Sequence, residues 1–76
     1  MIGFPKRELV EIIRNMYPKG ARVELISMDD PRSDMIPGLL GTVMAVDDIG
    51  TVHIAWDNGS TLGAVCGVDR IRRIGK

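Results

Sequence analysis

Apolar residues recur at helical spacing in the first part of the chain. Four of them are separated by three or four positions: Leu9, Ile12, Ile13 and Met16. Pro5 suits a first helical position, and Pro18 pushes the residue before it out of the α region. The pattern therefore predicts an amphipathic helix over residues 5–17. We expect its apolar stripe to dock on the rest of the chain or on a second copy of it, because so short a helix is marginal alone.

Short apolar runs of strand length follow the predicted helix. They cover residues 22–26, 40–46, 51–56, 61–65 and 70–74. Turn signals with glycine separate them: Pro37-Gly38, Asp47-Asp48-Ile49-Gly50 and Asn58-Gly59. Five short strands with one long first loop, residues 27–38, are typical of a mainly β fold. The prediction is one domain over residues 1–76, a small five-stranded SH3-like barrel over 20–75 whose last strand pairs with the first.

Alternation along the predicted strands assigns inward and outward positions. Trp56 is in register with Val52 and Ile54, so it is predicted to fill the core, whereas His53 points outward. On the last strand, the spacing of Ile71 and Ile74 is unusual for a regular strand and indicates a bulge there.

Composition restricts the setting of the protein. The chain is 76 residues long and 45% apolar, and a single cysteine, Cys66, excludes an internal disulfide. No apolar run reaches membrane-spanning length, and residues 1–6 do not lead into a signal-peptide core. We therefore expect a cytoplasmic protein without membrane attachment.

The formal net charge is zero, but the charges are unevenly distributed. Basic residues dominate both ends, while residues 23–69 carry eight acidic side chains and one arginine. Five aspartates fall on two predicted loops: Asp29, Asp30, Asp34, Asp47 and Asp48. Together with the neighbouring Met35 and Ile36 they are predicted protein-contact residues. Two alternatives are a divalent cation site and ordinary turn chemistry, of which turn chemistry is favoured.

Four arginines are predicted to converge on one face of the barrel: Arg22, Arg70, Arg72 and Arg73. One interpretation is a phosphate-binding surface for nucleic acid. The other is protection of a strand edge, with pairing to Glu24 and Asp69. The residues alone leave these two interpretations almost evenly balanced.

Several motifs of the chain together resemble a known family. They are Pro37-Gly38-x-x-Gly41-Thr42-Val43, Val46-Asp47-Asp48-x-Gly50, Trp56-Asp57-Asn58-Gly59-Ser60 and Gly67-Val68-Asp69. They resemble small bacterial and phage domains that carry only the label of a domain of unknown function. The resemblance covers roughly residues 5–74 and implies an SH3-like barrel with an N-terminal helix. It implies no catalytic residues. Members of the family are often encoded near mobile elements, which makes an inhibitor-type protein one possible role.

The expected function is a non-catalytic binding module. The chain lacks spaced zinc ligands and a nucleophile–base set, so no enzyme activity, metal, cofactor or small-molecule substrate is expected. The favoured partner is a protein, including a second copy in a homodimer. The alternative is a nucleic-acid-binding barrel that uses the four arginines.

Overall fold

One helix precedes five strands in a computed structural model that describes residues 7–28, 35–65 and 68–75. The helix, α1, spans Arg7–Met16. The strands are β1 (Arg22–Ser27), β2 (Leu40–Val46), β3 (Val52–Trp56), β4 (Gly63–Ala64) and β5 (Arg70–Ile74). The predicted order of elements and the mainly β class are confirmed, and α1 lies within the predicted helix.

The five strands form one antiparallel sheet in the order β4-β3-β2-β1-β5. Strand β5 pairs with β1 from Arg22 opposite Ile74 to Leu25 opposite Ile71. The predicted pairing of the last strand with the first is therefore confirmed. The hydrogen-bonded sheet is open between β4 and β5, and we call this opening the seam.

The turns between strands form as their residues predict. Gly50 and Gly59 have φ of 86° and 94°, a region that side chains with a Cβ avoid. In the first turn the Asp47 carboxylate accepts hydrogen bonds from the backbone N–H of Ile49 (3.1 Å) and Thr51 (2.9 Å). In the second, Asn58 accepts one from the Ser60 N–H at 2.9 Å. Hydrogen bonds from nearby backbone N–H groups to these side chains thus stabilise both turns.

The core lies on the inner face of the sheet. Val23, Leu25, Val43 and Ile54 are almost fully buried, and Trp56 is buried beside them. The predicted core position of Trp56 is therefore confirmed. Its indole N–H donates to the Leu62 carbonyl at 2.9 Å, so burial leaves this polar group satisfied. His53 is exposed, as the alternation predicts.

Glycine at position 41 lets the indole approach the neighbouring strand. Gly41 pairs directly with Trp56 across β2 and β3. A Cβ at this position would lie 2.8 Å from Cε3 of Trp56 and 2.6 Å from Cγ2 of Ile54. These distances are too short for carbon atoms, so the packing of the core requires a residue without a side chain here.

Two details of the predicted strands are wrong. The fourth strand covers two residues instead of 61–65. Residues 60–62 instead bond to Trp56, whose backbone N–H donates to Ser60 O at 2.8 Å and whose indole binds Leu62 O. The predicted bulge in β5 is also misplaced, because the register shift lies in β1, between Leu25 and Ser27.

The apolar stripe of α1 docks on the sheet only in part. Val10 and Ile13 are buried, but the other apolar side chains of α1 remain exposed: Leu9, Ile12 and Met16. The reason is that Arg14 holds the helix on its opposite side. Its Nε donates to the Val46 carbonyl at 3.2 Å, and its Nη2 pairs with Asp48 at 2.8 Å.

Candidate functional site

An apolar groove runs along the seam, between α1 on one side and residues 64, 65 and 68–71 on the other. Its volume is about 570 Å³. Exposed apolar side chains lie on both sides of it: Leu9 (42% exposed), Ile12 (53%) and Met16 (51%) on α1, and Val65 (43%) and Val68 (52%) across from it. Ile13 and Ile71 lie among the lining residues. The groove therefore combines a concave apolar floor with a protruding apolar helix face.

The helix face follows from the sequence and from the way α1 docks. Leu9, Ile12 and Met16 are separated by three and four residues, so they form one continuous ridge on α1. We call these three side chains the ridge. The ridge lies beside the buried Ile13 and the half-buried Tyr17, and away from the side that Arg14 anchors.

Two polar groups in the groove are already engaged. The Tyr17 hydroxyl donates to the Ile71 carbonyl at 3.4 Å. One carboxylate oxygen of Asp69 accepts the Val65 backbone N–H at 2.9 Å, and the Asp69 N–H donates to Val65 O at the same distance. These bonds tie Val65, which follows β4, to Asp69, which precedes β5, and hold Val65 at the groove.

The arginines predicted to bind phosphate do not form a surface of free cations. Arg22 forms a fork with Asp57, with Nη–Oδ distances of 2.9 and 2.6 Å. This hydrogen bond is the main cause that lowers the pKa of Asp57 and raises the pKa of Arg22. Arg72 pairs with Glu24 at 2.7 Å. The interpretation of pairing to Glu24 thus fits the geometry of Arg72.

The other two arginines lie on different sides of β5. Arg70 is exposed and lines the groove. Arg73 is opposite Val23, whose side chain faces the core, whereas Arg72 is opposite Glu24. Arg73 and Arg72 therefore point to opposite faces of the sheet. The strand distributes its cations instead of gathering them.

The two aspartates of the first turn serve its structure. Asp47 accepts, besides two backbone N–H groups, a hydrogen bond from Nε2 of His53 at 2.9 Å. The bond from His53 is the largest cause of a lowered pKa at Asp47, and the backbone bonds add to it. Asp48 pairs with Arg14 and so ties the turn to α1.

The remaining predicted contact residues divide into three groups. Asp29, Asp30 and Asp34 lie outside the described residues. Met35 is 6% exposed and packs in the core cluster, which corrects its assignment as a surface contact, because burial of a large apolar side chain stabilises the fold. Ile36 is 60% exposed, so it remains accessible on the surface.

The described ranges contain neither a cluster of metal-binding side chains nor a helix that could cross a membrane. Within residues 7–28, 35–65 and 68–75, no three His, Cys, Asp or Glu side chains are close enough to hold a metal ion. In the same ranges α1 is too short and too polar to cross a bilayer, and no other helix is present.

Sequence reasoning did not identify the groove. The apolar run over residues 61–65 places Val65 in a strand, and no pattern in the sequence assigns Val68 to a surface. The signal that pointed towards it was the width of the helical stripe, which exceeds what one face of a small sheet can cover. The exposed ridge is that excess.

Comparisons with known proteins give one family and no individual relative. No curated protein and no solved structure shows a significant match. A family model described as a domain of unknown function (DUF4314) matches residues 6–74, nearly the whole chain. The chain therefore belongs to the DUF4314 family of domains of unknown function.

Proposed function

We propose that this chain is a non-catalytic interaction module that binds the apolar surface of a polypeptide in the seam groove. The observation that carries the proposal is the exposure of five large apolar side chains along one groove. Contiguous apolar surface of a few hundred Å² on a small domain is characteristic of interaction sites.

The shape of the surface favours a polypeptide over a small molecule. A small ligand would fill the groove but leave the outer side of the ridge in water. A polypeptide segment can contact the groove floor and the ridge together, as in the packing of a helix into a groove. Among the described lining residues, Asp69 and Tyr17 already hold hydrogen bonds, so the site presents no free acid–base pair for catalysis.

Electrostatics favour a protein over nucleic acid. A phosphate-binding face needs several cations that are free to release counterions. Arg22 and Arg72, two of the four predicted phosphate contacts, already pair with Asp57 and Glu24. Binding of a phosphate backbone by these two would require breaking both pairs.

The finer description of the fold and its setting belongs to the same proposal. The strand order, with β5 beside β1, supports an SH3-like barrel whose hydrogen bonding is interrupted at the seam. The motifs and the single cysteine support a cytoplasmic bacterial or phage protein, including one that inhibits its partner.

A displayed random peptide library tests the proposed function. The chain is immobilised at low density, so that neighbouring copies do not meet, and bound peptides are sequenced. We expect enrichment of peptides with two or three large apolar residues. They should lose binding to Ile12→Glu and Val68→Glu, which place a charge on each side of the groove. They should retain binding to Ile36→Glu, which places the same charge on an exposed isoleucine outside the groove.

Two results would contradict the proposal. One is a set of enriched peptides that binds Ile12→Glu and Val68→Glu as well as it binds the wild type. The other is the absence of enriched peptides; binding of duplex DNA or RNA at low salt would then favour the arginines as the site. If nucleic-acid binding also weakens steeply with salt and disappears in Arg70→Glu/Arg72→Glu, the arginine interpretation replaces this one.

A further inference from the structure

The ridge and the groove lie side by side on one molecule, and they have complementary shapes. The ridge is convex. Its exposed apolar residues are three and four positions apart, which is the spacing of the residues that pack between two helices. The groove beside it is concave and apolar. A surface that carries both shapes can pack against a second copy of itself.

Charges of opposite sign flank this surface. Glu8 lies one turn before Ile12, on the side of the ridge that faces away from the groove. Arg70 lies on the opposite wall of the groove. Within the described residues neither Glu8 nor Arg70 has an ion-pair partner, whereas Arg14, Arg22 and Arg72 each have one.

We infer that the occupant of the groove is a second copy of this chain, in a homodimer with two-fold symmetry. This inference rests on the proposed function and names its partner. Each ridge packs into the groove of the other copy, so the two α1 helices lie side by side between the two sheets. In this arrangement the side of each α1 that carries Glu8 faces the groove wall of the other copy that carries Arg70. Glu8 of one copy therefore comes close to Arg70 of the other.

The size of the surface sets the strength of the dimer. The five exposed apolar side chains offer roughly a few hundred Å² on each copy. A standard stable interface buries about 800 Å² per partner. The dimer is therefore at the small end of specific interfaces, and we expect it to be reversible and to form at micromolar concentrations.

Sedimentation velocity of the full chain over a wide concentration range tests the dimer directly. We expect the wild type to change from monomer to dimer as concentration rises. Ile12→Glu and Val68→Glu should raise the dimer dissociation constant about a hundredfold or more, because each places two buried charges in a two-fold interface. Ile36→Glu should leave the dissociation constant unchanged. Circular dichroism melts show whether each variant is folded.

A charge exchange tests the arrangement within the dimer. Glu8→Lys and Arg70→Glu should each raise the dissociation constant about tenfold, because the pair occurs twice and each change creates like charges. The double variant restores opposite charges and should return to within about threefold of the wild type. A loss of helix stability could weaken the single variants, but it would not produce this recovery.

Three outcomes overturn the inference. They are a wild type that is monomeric at every concentration, a dimer that Ile12→Glu leaves intact, and a double charge variant no tighter than either single one. The peptide selection separates these results from the proposed function. A monomer that still binds apolar peptides in the groove disproves the homodimer alone, and a monomer that binds none disproves both.

Discussion

Two regions of this molecule are equally apolar in sequence but differ in how much water reaches them. In the sheet core, Val23 and Val43 are 0% exposed and Ile54 is 1% exposed. Along the seam, Ile12, Met16 and Val68 are each more than 50% exposed. The core excludes water because buried side chains of β1, β2 and β3, including Trp56, pack together. The seam is covered only by one short helix, which Arg14 holds on the side away from the ridge.

The difference separates what folds the chain from what the folded chain can bind. Burial stabilises the core by roughly 25 cal/mol for each Å² of apolar surface, and a domain of this size depends on that contribution. The seam residues give the monomer little of it. Their apolar character therefore matters for a partner more than for the fold, and the following substitutions test that division.

The largest effect is expected from the core. Trp56→Ala removes an indole from the core, and we expect a loss of about 3–5 kcal/mol in the free energy of unfolding. Urea unfolding followed by circular dichroism measures it. Trp56→Phe keeps a ring but loses the bond to Leu62 O, so it should cost less. A Trp56→Ala protein as stable as the wild type would show that the core does not depend on this residue.

A smaller loss is expected where the indole meets β2. Gly41→Ala places a Cβ 2.6 Å from Ile54 and 2.8 Å from Trp56, and we expect a cost of about 1–3 kcal/mol from overpacking. Gly59→Ala is the matched control, since no atom lies within 4 Å of its added Cβ. Its φ of 94° still costs about 1 kcal/mol in the backbone. Equal thermal stability of Gly41→Ala and the wild type contradicts the close packing.

Acid should weaken the turns that border the sheet. Hydrogen bonds from His53 and Arg22 lower the pKa of Asp47 and Asp57 respectively. A carboxyl with a lowered folded pKa stabilises the fold above its unfolded pKa, and this contribution is lost as pH falls through the folded value. We therefore expect the free energy of unfolding to decrease below about pH 4.

The matched variants for this pH dependence are Asp47→Asn/Asp57→Asn and Glu8→Gln. The double variant should show a shallower acid decrease than the wild type. The effect is modest because Asp57 is exposed and Asp47 is only half-buried, so water screens both charges. Glu8→Gln, which alters a carboxylate that has no ion pair in the described chain, is the control for the loss of an unpaired carboxylate. Identical slopes for all three proteins would remove the two aspartates as the cause.

The smallest effect is expected on the ridge. In dilute monomer, Leu9→Gln and Met16→Gln should change the free energy of unfolding by no more than about 0.5 kcal/mol, because both residues are exposed. Ile13→Ala, a change on the buried side of the same helix, should cost about 2–4 kcal/mol. Comparable losses for the two sides of α1 would erase the distinction between core and seam.

Local chemistry allowed much of the fold to be predicted from the sequence. Alternation placed β2, β3 and β5 and the inward position of Trp56, and glycines marked turns that have positive φ. These predictions succeed because each depends on residues close together in the chain. The shortening of β4 could not be predicted in this way, since it depends on where the indole of Trp56 finds its acceptor.

The sequence by itself determined that α1 carries more apolar surface than a small sheet can cover, and that β5 contains three arginines. The tertiary structure decided which part of the stripe is buried, because Arg14 on α1 binds Val46 at the end of β2 and Asp48 in the turn that follows. It also decided that Arg22 and Arg72 are paired, because Asp57 and Glu24 become their neighbours when the sheet forms. Long-range contacts of this kind leave no periodic signal in a sequence, and they separate the buried face of the helix from the ridge.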